Sequence, residues 1–594
     1  MKVTWILLCL GCLAWGAARG QEAAKPPQEI LPERGIALKA WSLAGAGAQA
    51  KMDIVACSIG GQTQAARIQI QQPNPAQFWQ VQWMQAAPAA LPKGSVLRLK
   101  FWARSETRNP VVAVYEHAAD PYEKLLSELI VLSPEWEEYA LVFTLPQDVP
   151  AQWAGVRFQM GHKAGTVEMT GISLENWGIA PNPMPKASKR DPYGGQKSDP
   201  DWWKAADARI EQIRKGNLQV QVMDAQGKPV PNATVEVKQR RHKFRFGTAI
   251  APHALFDTGP DGKKYRDTIL RLFNCVVLED QLKWAAEDWH EPGTAERMLK
   301  WCEAHKLPVR GHCLLWPNYE HLPKSKRNLR GAELRKAIQD HITEYVTRVK
   351  GRVYVWDVIN EAVSNRQIID ELGGEDILVE AFQRARAADP KVRLAYNDFN
   401  ILNDRAGSNE AHRRAAMGVI KRLLEANAPL NSLGIQGHIS LPLTPGDKLV
   451  SILDSWAQFG LPIEITEYDL VSHDDALHAA YMKEFLTAVF SHPAVDSFLM
   501  WGFWEGAHWL AAQGGAMFRK DWTPRPTVGV YEDLVFKQWW TNASAQTDSK
   551  GEATLRVFLG EHELVAKKGN LDSRAIIQVE EGGNSVKRLV IRLQ

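Results

Sequence analysis

From residue 244 onward, eight short apolar runs alternate with amphipathic segments, and no other feature restricts the fold of this chain so strongly. The runs cover residues 244–250, 273–280, 308–316, 353–361, 393–401, 432–440, 462–470 and 497–506. Between them, segments such as 294–306, 329–350, 410–427 and 476–491 carry apolar residues at helical spacing. Strands that alternate with helices pair in parallel, with the helices covering the sheet. Eight such units over about 300 residues have the count and length of a (β/α)8 TIM barrel, whose functional groups stand at the C-terminal ends of the strands.

A chain of 594 residues exceeds what one core organises, so further domains are expected around this α/β barrel. Residues 30–178 hold short period-2 segments, among them 67–70, 78–83 and 97–102, which argue a β-sandwich, and this segment resembles carbohydrate-binding modules of jelly-roll type. Residues 179–205, with several prolines, basic residues and Gly194-Gly195, read as a linker. Residues 206–243 contain two strands joined by a turn at Gly227 and Pro229, too little to hold a core alone. Residues 542–594 supply further alternating strands, and joining the two pieces yields one small discontinuous β-sandwich flanking a barrel of residues 244–541. That combination resembles small transthyretin-like sandwiches.

The N-terminus carries Lys2, an apolar stretch over residues 5–15 and small residues to Gly20, the layout of a signal peptide over residues 1–20. The apolar run is too short to span a bilayer, so a secreted protein, periplasmic or extracellular, is expected. Cleavage would remove Lys2 and Arg19 and no acid, so the formal charge of +3 falls to +1. Such a balance gives no electrostatic case for nucleic acid or for an anionic membrane, and a monomer is expected. Cys9 and Cys12 fall in the signal segment; Cys57, Cys275, Cys302 and Cys313 lack zinc-ligand spacing and read as structural thiols or at most one bridge. No metal and no cofactor is expected. The 23 tryptophans favour a carbohydrate ligand, since flat aromatic rings stack on sugar faces, while a large core is the plainer explanation.

The fourth run ends Trp356-Asp357-Val358-Ile359-Asn360-Glu361 and the seventh ends Ile465-Thr466-Glu467-Tyr468-Asp469. Two carboxylates delivered to one face of a barrel can flank a glycosidic bond, one protonating the leaving oxygen and the other attacking the anomeric carbon. Glu464 lies three residues deeper and is less suited. Run three ends Gly311-His312-Cys313-Leu314-Leu315-Trp316, and run six contains Gln436-Gly437-His438. These four segments resemble the G-H-x-L-x-W, W-D-V-x-N-E, Q-x-H and I-T-E-x-D patterns of glycoside hydrolase family 10, the endo-1,4-β-xylanases, over residues 244–540.

The resemblance implies a retaining endo-hydrolase of xylan, with Glu361 as acid/base and Glu467 as nucleophile. It implies that Asn360 bonds the 2-hydroxyl of the attacked sugar, that His438 and Gln436 position Glu467, and that Asp469 supports His438. Glu279 and Lys283 match a segment that binds the next sugar; His312 and Trp316 would shape the attacked-sugar site, with Trp501 and Trp509 as aromatic walls. Asp280 and Pro317 depart from the family's usual Asn and His, which puts subsite affinity in question. For isolated tryptophans, Trp504 and Trp509 above all, a packed core residue is the alternative. In the N-terminal sandwich, Trp79, Trp83, Trp102 and Tyr115 are aromatic candidates for a carbohydrate-binding face, although alternation makes half of such residues core. Two other functions remain open: a carbohydrate-binding protein without turnover, and the same chemistry on another β-1,4-glycan.

Overall fold

The computed structural model describes residues 27–31, 38–47, 49–120, 122–181, 183–188, 191–405, 407–580, 582–583 and 586–593; the signal-peptide segment lies outside them. The chain divides near residue 190 into two compact units.

In the second unit, eight strands form the barrel: β1 (Arg245–Ile250), β2 (Cys275–Leu278), β3 (Val309–Gly311), β4 (Val353–Asn360), β5 (Arg393–Asp398), β6 (Ser432–Ile435), β7 (Ile463–Leu470) and β8 (Val495–Met500). Each pairs in parallel with its sequence neighbours, and β1 pairs with β8, which closes the ring. Helices cover the outside, so these strands are buried on both faces and read as continuous apolar runs. The helix Gly331–Arg348 shows the complementary pattern, burying Leu334, Ile338, Ile342, Tyr345 and Val346 along one stripe.

Two irregularities shape the rim. β3 ends at Gly311, short of the expected residue 316, yet the chain stays beside β4: the Leu314 and Leu315 amides donate to Asp357 O and Val358 O, and Leu315 O accepts from the Asn360 amide. β6 bends at Gly437, where φ is +84°, and resumes as His438–Ile439 paired with Asp469 and Leu470 of β7. A side chain at 437 would face a disfavoured backbone, so glycine permits the bend that sets His438 opposite Asp469.

Around the barrel, Lys215–Met223 pairs with Glu552–Phe558 and Val586–Arg592, and Thr234–His242 pairs with Asn542–Gln546 and Gly560–Lys568. Leu218, Val220, Val235, Val237, Leu555 and Leu564 share one apolar cluster, so segments more than 300 residues apart in sequence bury each other's inner faces.

The later half of the expected linker is a docked strap instead. The Leu443 amide donates to Pro192 O at 2.7 Å. The Tyr193 hydroxyl donates to Glu484, which also accepts from the Gly446 amide at 2.7 Å. Asp447 accepts from Ser198 and from the Asp199 amide. The helix Trp202–Ile213 then lays Trp202 on Gly446, where a Cβ would come within 2.2 Å of the indole. Proline and glycine content signalled a linker because it reports on backbone conformation and is blind to what the side chains grip.

The first unit contains a six-stranded and a five-stranded antiparallel sheet. Trp83 and Tyr115 are fully buried, which corrects their reading as surface aromatics; Trp83 packs with Trp41 and Phe158. Trp79 is 45% exposed, and Trp102 is half-buried beside Gly60. Cys57, Cys275, Cys302 and Cys313 are free thiols. Among the described residues, no helix is long and apolar enough to cross a membrane.

Candidate active site

Glu361 follows the last residue of β4 with φ at +58°, a left-handed conformation that costs a residue with a Cβ about 1–2 kcal/mol. Its surroundings hold it there. The Glu361 amide donates to Asn397 O at 2.9 Å, and its carbonyl accepts from the Asn365 amide at 3.0 Å. Four donors surround the carboxylate: Gln436 Nε2 at 2.8 Å and Asn360 Nδ2 at 3.2 Å on Oε1, Trp316 Nε1 at 3.2 Å and Asn365 Nδ2 at 3.1 Å on Oε2. Burial raises the Glu361 pKa, the hydrogen bond from Gln436 opposes it, and the charges of Glu467 and Asp398 add to the rise.

Glu467, 4% exposed, stands inside β7. Asn397 Nδ2 donates to its Oε1 at 2.8 Å, His438 Nε2 lies 3.2 Å from Oε2, and His312 Nδ1 lies 3.9 Å from Oε1. Burial would raise its pKa, but His312, His438 and Asn397 outweigh burial and hold it down at about 2. The two glutamates thus share one mouth with opposite proton preferences.

His438 bridges two carboxylates, with Nδ1 3.0 Å from Asp469 Oδ2 and Nε2 on Glu467. Burial works against its charge, yet Asp469 and Glu467 together push its pKa up to about 10, so it remains a cation beside Glu467. Asp469 Oδ2 also accepts from Trp509 Nε1 at 2.8 Å, which fixes an indole whose body is 56% exposed. Trp504 is a core residue: it stacks on Trp522 with ring centroids 4.6 Å apart and donates to Lys520 O.

His312 sits 2.9 Å from Asp357 Oδ2 and edge-on to Trp501 at 5.1 Å. Asp357 is clamped by Arg310, which also reaches Glu464 at 2.9 Å, all three fully buried. Glu464 is thereby consumed by structure, with Tyr354, Ser432 and Ser497 as further donors.

On the β2 side, Lys283 Nζ is 2.7 Å from Asp280 Oδ1 and about equally distant from the rings of Trp316 and Trp501, at 5.5 and 5.6 Å. Burial would lower the Lys283 pKa, but Asp280 reverses the sign, so the departure from Asn supplies the lysine's counter-ion. Burial and the neighbouring Asp280 push Glu279 up to about 7, against the pull of Lys283. Where Pro317 replaces the usual His, His321 stacks on Trp316 with centroids 3.6 Å apart and planes 9° apart.

One expected contact differs. The Gln436 side chain bonds Glu361 and, at 3.4 Å, Asn360, while only its backbone carbonyl reaches Glu467, accepting from the amide at 2.7 Å. The chain bends at Gly437, so residues 436 and 438 serve different glutamates. Sequence reading also passed over Asn397, Asn365, Asp357 and Arg310. Asn397 at least had a signal, since it stands near the C-terminal end of β5, the rule that found Glu361. Among the described residues, no group of three or more His, Cys, Asp or Glu side chains is arranged to hold a metal.

A closed parallel barrel with two buried carboxylates at the C-terminal rim is the framework of the two-carboxylate glycoside hydrolases. The family model for glycosyl hydrolase family 10 matches residues 236–533, and the chain belongs to that family. It is 32% identical over 370 residues to the anti-sigma-I factor RsgI6 of Acetivibrio thermocellus, covering 61% of this chain and 46% of that one. It is 29% identical over 367 residues to endo-1,4-beta-xylanase 1 of Arabidopsis thaliana, covering 60% of this chain and 36% of the relative. The chain therefore spans less than half the length of these two curated relatives, whereas a 28% identical match to endo-1,4-beta-xylanase B of Thermotoga neapolitana covers 92% of that protein and 51% of this chain. Among solved structures, native xylanase 10B from Thermotoga maritima aligns at 29% identity and a TM-score of 0.44, over 50% of this chain and 96% of that one.

Proposed function

We propose that the protein is a secreted, monomeric, endo-acting retaining xylanase that cleaves β-1,4-xylosidic bonds by double displacement. Glu467, ionised down to about pH 2, attacks the anomeric carbon and forms a glycosyl ester. Glu361, whose pKa burial raises, gives its proton to the departing glycosidic oxygen. Glu361 then takes a proton from water as that water displaces Glu467, restoring both groups. The observation that carries this reading is the pair of buried carboxylates Glu361 and Glu467, linked through Asn360 and Asn397 at one barrel mouth, and the opposite displacement of their pKa values supports Glu361 as acid and Glu467 as nucleophile.

Asn360 is the proposed partner of the 2-hydroxyl of the attacked sugar, Trp316, Trp501 and Trp509 are proposed as aromatic walls of that attacked-sugar site, and Glu279 and Lys283 are proposed to bind the neighbouring sugar. A wall near C5 favours xylose, which lacks the hydroxymethyl group of glucose. The xylanase names of the relatives support the same substrate. The N-terminal sandwich, residues 30–178, is proposed to hold insoluble polysaccharide, and residues 1–20 to direct export.

The test is hydrolysis of a panel of xylan, cellulose and mixed-linkage glucan, with the first-formed anomer read by proton NMR. Xylan is expected to be cut fastest, giving β-configured product. Cleavage of glucans at equal rates would reassign the substrate. An α-configured product would overturn the mechanism, and absence of turnover with retained xylan binding would leave a binding protein.

A further inference from the structure

Trp289 exposes 49% of its surface, although the loop that carries it is fastened on every side. Trp284 stacks on His341 with ring centroids 4.2 Å apart and planes 8° apart. Glu287 accepts from the Tyr345 hydroxyl at 3.1 Å, and Asp288 accepts from the Lys324 amide at 2.7 Å. On the other side, His290 meets Gln281 Nε2 at 3.1 Å. With its neighbours fixed, the outward aim of the indole is built into the loop, and a large flat apolar ring kept in water is unfavourable unless something covers it.

Two cavities meet at this ring. One is bounded by Lys283, Cys313, Trp316 and His321 together with Trp289, and it adjoins Glu361 because Trp316 Nε1 lies 3.2 Å from the carboxylate. The other, about 440 Å³, runs between Trp289, His253, Phe256, His290 and Arg297. Its residues belong to the segments that follow β1 and β2, including the helix Pro252–Leu255 and the first turn of the helix Thr294–Ala304, on the same end of the barrel as both glutamates. Trp289 therefore stands between a small pocket of about 10 Å³ beside Lys283 and Trp316 and the wider second groove. Along it stand the guanidinium of Arg297, held 4.2 Å over Phe256, and the exposed ring of His253, both able to donate to hydroxyl oxygens.

We infer that Trp289 and the groove beyond it form an additional polysaccharide subsite, which stacks a pyranose ring of the substrate one or more places beyond the sugar held by Glu279 and Lys283. The inference rests on the xylanase reading and adds to it a preference for long substrates. A chain long enough to reach Trp289 gains a stacking contact, whereas a disaccharide held at Lys283 gains none. The other occupant of an exposed tryptophan is a second copy of this chain, and the experiment separates the two.

The test measures kcat/KM for xylohexaose and for an aryl xylobioside with the full chain and with Trp289→Ala and Trp289→Phe. Trp289→Ala is expected to lose about tenfold on xylohexaose and less than about twofold on the aryl xylobioside. Trp289→Phe keeps a flat ring and is expected to retain most of the long-substrate activity. An unchanged xylohexaose to xylobioside ratio in Trp289→Ala would overturn the inference while leaving the xylanase reading intact. So would a wild-type dimer in sedimentation that Trp289→Ala dissociates without altering that ratio. If the wild-type protein cuts neither substrate, the xylanase reading falls and the inference falls with it.

Discussion

Asn397 and Glu467 are joined by a hydrogen bond of 2.8 Å, and the same amide nitrogen reaches Asn360 Oδ1 at 2.9 Å. Since Asn360 in turn donates to Glu361 at 3.2 Å, a chain of two asparagines connects the carboxylates, fixed behind by Thr466 donating to Asn397 Oδ1. Asn397→Ala removes a donor that favours ionised Glu467. The Glu467 pKa should rise from about 2, so the acid limb of the kcat/KM profile moves to higher pH. A hydrogen bond to a charged group contributes about 1.5–3 kcal/mol, so kcat/KM near neutrality should fall by about ten- to a hundredfold. Loss of rate with an unmoved acid limb would mean that Asn397 acts by geometry alone.

The alkaline limb should report Glu361, which must be protonated to act as an acid. Gln436 donates to the ionised form of Glu361 and thereby opposes the rise that burial causes. Gln436→Leu leaves burial in place and removes the opposing bond. The Glu361 pKa should increase further and the alkaline limb should move to higher pH, with the acid limb nearly fixed. Movement of the acid limb instead would show that the residue governs Glu467, as the family resemblance implied.

The barrel was legible because its strands are buried on both faces and its helices on one, so two periodicities alternate along the chain. The convergence of Glu361, Glu467, His438 and Asp469 at one rim was legible because each stands at or near the C-terminal end of a strand. The exchange of Gln436 between glutamates was not, since it follows from a bend at Gly437 that turns neighbouring side chains apart. Arg310 and Asp357 were hidden for another reason: as charges they pattern like surface residues, and only the fold shows them buried against each other. Trp83 and Tyr115 failed in the opposite sense, because alternation gives two faces without saying which is inner.

The strap over residues 191–200 makes the site of truncation matter. A chain beginning at residue 191 keeps the bonds of Pro192, Tyr193, Ser198 and Asp199 to the barrel unit, whereas one beginning at 201 loses them. The bonds of Ser198 and Asp199 are exposed, so at about 1 kcal/mol for each of the bonds of Pro192 and Tyr193 the shorter chain should melt about 2 °C lower in calorimetry. Both should retain turnover of short soluble substrates while losing retention on insoluble xylan. Equal melting temperatures would show that the strap is passive, and loss of soluble turnover by the longer chain would make the N-terminal unit part of catalysis.

The division of labour between Glu361 and Glu467 carries the whole mechanism and can be read from leaving groups. Glu467→Ala removes the atom that forms the glycosyl ester, so hydrolysis should collapse for every leaving group. Glu361→Ala removes the proton donor, whose absence matters most for a poor leaving group. An aryl xylobioside with an acidic phenol departs almost unaided, so its first step should survive in Glu361→Ala far better than xylan cleavage does. Water then lacks its base, the ester on Glu467 should accumulate as a pre-steady-state burst, and azide, which needs no base, should restore turnover. Because Glu467 attacks from the α face, azide must enter from the β face and yield a β-glycosyl azide. Recovery of the α-azide, or equal loss of xylan and aryl-glycoside cleavage without rescue, would overturn the assignment.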